Sequence, residues 1–399
     1  MTDWSTPRAA PIALRRREAS LRERALDRES PLRRLDWLLL LAVASLIGLG
    51  SLLVWSATRQ RMLNAGLDPN AFFKKHLINA VIGMVLASVA ALVDYRSLRA
   101  YAPIVYVASC AGLLAVLSPL GATINGAHSW IVLPAGFQVQ PSEFAKVAIV
   151  VGMAMILAEK RDGESAPSGG DVLLVLALAA LPMALIMLQP DLGTTMVLVF
   201  VVLGVLAVSG AGATWIVGLL LAGGLVAFGA LQLNVLSDYQ VARFTAFTNP
   251  AADLGDTGYN TNQARIAIGS GGLTGKGLFK GTQTNGRFIP EQQTDFVFTV
   301  AGEELGLLGA GGVILLLGLV LWRGLRIASL ATDPFGRLVA AGVVSWFAFQ
   351  SFVNIGMTLG IMPVTGLPLP FLSNGGSAMF ANLIAVGLLQ NVHMRTSEL

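Results

Sequence analysis

The sequence predicts an all-α polytopic membrane protein. Of 399 residues, 54% are hydrophobic and only 13% charged, and mean hydropathy is +0.69. A soluble domain carries about 25% charge. Apolar runs of about twenty residues recur along the chain, each long enough to span roughly 30 Å of hydrocarbon as a helix. They lack the short alternation of a membrane β-barrel.

Residues 1–34 form a polar, arginine-rich tail that includes Arg15, Arg16, Arg17, Arg33 and Arg34. It reads either as a solvated cytoplasmic tail that fixes topology or as a short surface helix on anionic lipid. The first apolar block begins near Leu35, too long for a signal-peptide core, so no cleavable signal is expected. An integral membrane domain then occupies 35–399, with about ten spanning helices expected at 35–57, 75–93, 99–118, 142–158, 171–188, 192–209, 213–233, 297–321, 336–360 and 376–393. An even number returns both termini to one side. The tail, Arg96, Arg99, Lys160, Arg161, Arg323, Arg326, Arg337 and Arg395 share that side, and the excess of cations makes it the cytoplasm. Cys110 is the single cysteine, so neither an intrachain disulfide nor a cysteine-rich metal site is available.

The opposite face receives the long loop 234–296, between the seventh and eighth spans. Its cations Arg243, Arg265, Lys276, Lys280 and Arg287 breach the cation bias. They read either as solvated loop charges or as partners of an anionic ligand. Asp238, Asp253, Asp256, Glu291 and Asp295 lie among them. In the 119–141 connection, Trp130 reads as an interfacial belt residue or a site residue, and His128 as a loop residue. Pro141 begins the fourth helix with Glu143 near its positive dipole end. Lys146, three residues on, shares its face, as a structural or a functional pair. Asp191 reads as a helix cap. Glu303, eight residues beyond Asp295, is expected to point in a similar direction. Gln350 and Asn354 put two amides on one helix face. The last loop, 361–375, is stiffened by Pro363, Pro368 and Pro370.

GSGGLTGKG at 269–277 has the look of a phosphate loop. However, Ser270 occupies its first glycine position and Gly277 the final Ser or Thr position. No Ser-His-Asp or HExxH arrangement is present. The chemistry that fits is transfer from a pyrophosphate-linked lipid. Arg and Lys bind the pyrophosphate, amides of a glycine-rich turn add to them, and a carboxylate at the membrane lip takes a proton from a sugar hydroxyl.

WIVLPAGFQVQPSEFAK at 130–146, QPDLGTT at 189–195, YQVARFTAFTNP at 239–250, GYNTNQARIAIGSGGLTGKG at 258–277, IPEQQTDFVFTVAGEELG at 289–306 and MPVTGLPLPFLSNGGS at 362–377 together resemble the SEDS family (shape, elongation, division and sporulation), of the RodA/FtsW type. The resemblance covers roughly Leu35 to His393. It implies a ten-helix peptidoglycan glycosyltransferase that polymerises lipid II outside the cytoplasmic membrane, beside a class B penicillin-binding protein. It places the catalytic aspartate on Asp295 and supporting residues on Glu143, Lys146 and Trp130. The loop cations Arg243, Arg265 and Lys276 are then expected to hold pyrophosphate. A divalent cation, magnesium or manganese, is a further expectation, with no ligand cluster to prove it. The nascent glycan strand, lipid II, the penicillin-binding protein and membrane lipids are the expected partners; nucleic acid is not. Ser129 stands where the family commonly has Arg, so a basic contact is absent there. EQQTDF leans toward elongation-type (RodA) members. A lipid II flippase and a non-catalytic scaffold are the rival readings.

Overall fold

The computed structural model describes residues 34–124, 127–132, 138–159, 166–232 and 257–396. The tail up to residue 33, Lys160, Arg161, Asp238, Arg243, Asp253 and Asp256 lie outside the described residues. A helix stands at every expected span: α1 (Trp37–Asn64), α2 (Ala71–Leu92), α3 (Tyr95–Leu117), α4 (Pro141–Ala158), α5 (Gly169–Met187), α6 (Leu192–Ser209), α7 (Ala213–Gln232), α10 (Val297–Leu330), α11 (Pro334–Leu359) and α12 (Gly376–Thr396). Eight of these are long and apolar enough to cross a membrane. α7 is apolar as well, with Ala213–Val226 an apolar stretch among the described residues. α12 is diluted by buried Asn382, Gln390 and Asn391. The protein is a multi-pass membrane protein.

Local signals set the helix starts. Asp36 accepts from the Leu39 amide at 3.0 Å, Asp191 from the Thr194 amide at 2.9 Å, and Ser168 forms a reciprocal capping box with Asp171. Asp191 is therefore a cap, as its position before Gly193 and Thr194 suggested. Pro141 and Pro334 open α4 and α11, where a missing N–H costs nothing.

α4 and α11 form the centre, each 78% buried over its spanning window, against 28% for α2 and α3. α4 packs on α3, α5, α6, α11 and α12, and α11 also on α6 and α10. The outer helices expose Val81, Val85, Ile104, Val107, Leu173 and Leu174, which suits a hydrocarbon solvent.

The fold class is all-α as expected, with three corrections of detail. The 119–141 connection carries a three-stranded antiparallel sheet of β1 (Gly121–Ile124), β2 (Ala127–Val132) and β3 (Gln138–Val139). β-branched Thr123, Ile124, Ile131 and Val132 favour strands, and Asn125-Gly126 is a strong hairpin pair in sequence. The long connection 234–296 also holds two helices, α8 (Thr257–Ser270) and α9 (Thr282–Gly286).

The third correction concerns the eighth span. α10 runs for 34 residues, about 51 Å of helix, and breaks at Gly306, where φ is +66°. In a continuous helix the Leu307 and Leu308 amides would bond the Glu303 and Glu304 carbonyls. Here the segment 272–277 inserts between them. Leu307 donates to Gly272 O at 2.9 Å and Leu308 to Leu273 O at 3.1 Å. Lys276 and Gly277 donate their amides to Glu303 O at 3.0 Å and Glu304 O at 2.9 Å. Residues 297–304 are buried in protein, while Leu307, Leu308 and Leu315 are exposed. The lipid-facing part thus begins after the break, later than the 297–321 expected. The sequence gives no hint, because LGLLGAGG reads as continuous apolar helix.

Gly306→Ala is expected to destabilise by about 1–3 kcal/mol through its left-handed backbone alone, and its methyl would also collide with the Gly275 amide. Gly311→Ala, with open space around it, is the control and should be neutral or stabilising by up to about 1 kcal/mol. Thermal midpoints of the purified variants in detergent compare them; equal midpoints would refute a strained break.

Candidate functional site

Asp295 lies in the turn that leads into α10, one residue before its cap Phe296. It is half-buried. Its amide donates to Glu291 O at 3.1 Å, as do those of Thr294 and Phe296. Glu291 has a left-handed φ of 52°, which turns its carbonyl toward these amides. Three consecutive carbonyls are then taken from the C-terminal side of the chain. The Asn374 amide donates to Gln293 O at 2.8 Å. Ser373 Oγ donates to Thr294 O. Asn354 Nδ2 donates to Asp295 O at 2.9 Å.

The same α11 face holds the last loop. Asn354 Nδ2 also donates to Leu367 O at 2.6 Å, and Gln350 Nε2 to Pro368 O at 2.7 Å. The spacing of four, legible in the sequence, places both amides on one face; their partners are a product of the fold. Ser373 and Asn374 carried no sequence signal beyond lying in a polar tip between prolines and glycines.

Glu143 and Lys146 form an ion pair of 2.8 Å, with side chains 2% and 0% exposed. Lys146 Nζ also donates to Gln350 Oε1 at 3.1 Å and lies 4.6 Å from the centre of the Trp346 ring. Trp346 Nε1 donates to the same Gln350 oxygen at 2.6 Å. Glu143 Oε2 finds no donor among the described residues. Two charges removed from water cost several kcal/mol each, recovered only by close pairing and further hydrogen bonds. Lys146 has those bonds; one oxygen of Glu143 does not. The pair thus reaches Gln350 directly and Asp295 through the α11 amides.

Glu303 does not share a helix face with Asp295, because Asp295 precedes the helix. It is fully buried and caps α9. Oε1 accepts from the Gln283 amide at 2.8 Å, and Oε2 from the Thr284 amide at 2.9 Å and the Thr284 hydroxyl at 2.8 Å. Lys276 is drawn to it at 2.8 Å and donates to Thr282 Oγ1 at 2.7 Å. Any phosphate contact by Lys276 would compete with Glu303. Likewise, the glycine-rich amides of Lys276 and Gly277 are spent on the broken helix. Glu304 accepts from Ser56 Oγ at 2.7 Å, tying α10 to α1. Neither Ser56 nor Glu304 was singled out as a site residue in the sequence.

Arg265 is exposed on α8, with its side-chain methylene carbons against Gly360 at the end of α11. Arg287 and Lys280 are exposed as well. Trp130 is half-buried in β2, opposite Ala122, and Ser129 beside it is buried. His128, expected in a loop, lies instead in β2 opposite Thr123, with its Nδ1 2.9 Å from Thr123 Oγ1. Among the described residues, no three His, Cys, Asp or Glu side chains stand together to hold a metal.

A family model described as cell cycle protein, FtsW/RodA/SpoVE, matches residues 36–398. The chain is 37% identical over 363 residues to the probable peptidoglycan glycosyltransferase FtsW of Geobacter metallireducens, covering 91% of this chain and 95% of that one. It is 38% identical over 359 residues to stage V sporulation protein E of Bacillus subtilis, covering 90% and 96%. In three dimensions it is similar to a chain from a solved peptidoglycan synthase complex that coordinates polymerization and crosslinking, with a TM-score of 0.75, 32% identity, and 91% and 98% coverage. It is also similar to the solved rod shape determining protein RodA of Thermus thermophilus, with a TM-score of 0.65, 31% identity, and 90% and 96% coverage, so the names of the similar proteins do not separate the elongation-type leaning of EQQTDF from the other types.

Lys146→Met should leave Glu143 buried and unpaired and cost several kcal/mol; Glu143→Gln should do the same to Lys146. The double variant is expected to regain most of the thermal midpoint while polymerisation stays low. A double-mutant cycle scored separately on midpoint and rate measures this. Additive losses on both would show that the two side chains do not act as a pair.

Proposed function

The chain belongs to the FtsW/RodA/SpoVE cell cycle protein family, and we propose that it polymerises lipid II into glycan strands at the outer face of the bacterial cytoplasmic membrane. Peptidoglycan glycosyltransferase activity follows from the relatives.

The donor is a nascent strand on undecaprenyl pyrophosphate; the acceptor is lipid II, through a GlcNAc hydroxyl. Asp295 acts as general base. As its carboxylate takes the hydroxyl proton, the acceptor oxygen bonds the donor's anomeric carbon and the bond to pyrophosphate breaks. The leaving pyrophosphate carries away the electron pair and the charge that loop cations must balance. Arg265 is exposed on the loop that breaches the cation bias, and so is available to an anionic group. Arg243 is assigned the same role from sequence alone. Glu143 and Lys146 support the site from within the bundle. A magnesium or manganese ion would depend on the pyrophosphate for most of its ligands, since the described residues offer no cluster. The similarity to a chain of a synthase complex supports a class B penicillin-binding protein as partner. Both termini are placed in the cytoplasm on the cation distribution.

The observation that carries this reading is Asp295 itself: a half-buried carboxylate at the head of a broken helix, on a backbone fixed at both its amide and its carbonyl. A positioned base contributes about 10²–10⁴ in rate. Asp295→Asn should therefore lose about that much polymerisation of labelled lipid II by the purified chain, assayed with and without its partner, at an unchanged thermal midpoint. A rate within a few-fold of the parent would remove Asp295 as the base. Arg265→Ala should raise the KM for lipid II with little change in midpoint; an unaltered KM would make it a solvated charge.

A further inference from the structure

We propose that Asn354 is a positioning residue for Asp295, fixing the direction in which its carboxylate leaves the backbone, and that Lys146 acts on Asp295 through it. The proposal rests on the reading of Asp295 as general base.

Asn354 is fully buried near the C-terminal end of α11, one of the bundle's two central helices. A primary amide has two N–H donors. Here its nitrogen meets two carbonyls, Asp295 O and Leu367 O, from segments about seventy residues apart in sequence. The amide cannot be turned over, because its oxygen would then face two carbonyl oxygens. In the orientation it has, Oδ1 finds no donor among the described residues. An unpaired buried acceptor is costly, and an apolar side chain of the same size would avoid that cost. Packing therefore does not account for an amide here, whereas a demand for two donors at one point does.

The consequence falls on Asp295. Its N–H is bound to Glu291 O and its C=O to Asn354, while the carbonyls of the two preceding residues are bound to Asn374 and Ser373. With both peptide planes held, the Cα–Cβ direction is fixed. One helical turn earlier, Gln350 repeats the device. Its nitrogen holds Pro368 O, next in sequence to Leu367, and its oxygen accepts from Lys146 and Trp346. The pair of charges at 143 and 146 thus sets Gln350. Gln350 and Asn354 together set the 367–368 peptide, and Asn354 sets Asp295. Lys146 needs no contact with substrate to affect catalysis.

The test uses the purified full chain and labelled lipid II. Asn354→Leu removes both donors at similar volume. A misplacement of about 1 Å at a reacting group costs roughly 10²-fold in rate. The expected result is a kcat about 10²-fold lower with the KM for lipid II near the parent, beside a lowered thermal midpoint because the Asp295 and Leu367 carbonyls lose their donor. The decisive arm places Asn354→Leu on Asp295→Asn. If Asn354 works through Asp295, the residual rate of the single Asp295 variant does not fall further. A further fall in that background, or an Asn354→Leu rate within a few-fold of the parent, overturns the proposal. Ser373→Ala, which frees the Thr294 carbonyl and also leaves the Leu369 amide without its acceptor, is run through the same arms. If Asn354→Leu does not fold, Ser373→Ala decides: a lower kcat that vanishes in the Asp295→Asn background supports positioning, and independent losses reject it. An Asp295→Asn enzyme as active as the parent would instead defeat the general-base reading, an outcome visible before either positioning variant is considered.

Discussion

Backbone that passes into hydrocarbon must satisfy its own N–H and C=O groups, and non-helical backbone survives there only where other protein covers it. The break at Gly306 sets that demand at the head of the eighth span. It frees two carbonyls and two amides, and the segment 272–277 meets all four. The approach is close enough that Gly271, Gly275 and Gly306 admit no side chain: a methyl on each would strike the backbone opposite. The glycines that mimic a phosphate loop in sequence are therefore the material of a splice between a loop and a membrane helix. Once the loop is spliced in, Glu303 can cap α9 and hold Lys276, and Glu304 can reach Ser56 on α1.

Buried charge is used sparingly and at both ends of the bundle. Toward the loop face, Glu143 and Lys146 pair inside one of the two most buried helices. At the other end, Asp36 caps α1 and takes a two-pronged contact from Arg323 of α10, at 2.7 Å and 2.6 Å. Gln390 of α12 brackets the Asp36 backbone from both sides, at 2.9 Å and 3.0 Å. Replacing such pairs by apolar residues is often tolerated energetically, while breaking one is not. Their value lies in fixing which helices meet and in what register. The difference is that Asp36 and Arg323 end in a helix cap, whereas Glu143 and Lys146 continue through Gln350 into the loop that holds Asp295.

The site is assembled from three distant pieces of chain: the start of α4, the turn before α10, and α11 with the loop after it. Each is rigid for a separate reason. Pro141 and the buried pair fix the first, the Glu291 turn the second, and prolines and two α11 amides the third. The backbone at Asp295 is thereby held from both sides, at its amide by Glu291 and at its carbonyl by Asn354. Arg265, by contrast, stands exposed on α8.

The sequence by itself determined the membrane class, the places of the spans, the caps at Asp191 and Pro141, the shared face of Glu143 and Lys146, and the spacing of Gln350 and Asn354. These are properties of local composition and of the 3.6-residue period, which need no partner to be true. It also marked Asp295, Glu143, Lys146 and Trp130 through six ordered segments. Only the tertiary structure decided that GSGGLTGKG fills a broken helix, that Glu303 turns away from Asp295 to cap α9, that the outer connection pairs into strands, and that Asn354 grips the Asp295 carbonyl. Each of these depends on the sign of a single φ, at Gly306 or Glu291, or on which carbonyl lies opposite a donor many residues away. Neither quantity is carried by residue type or spacing. Both are fixed only when the chain closes on itself and every buried polar group has to find its partner.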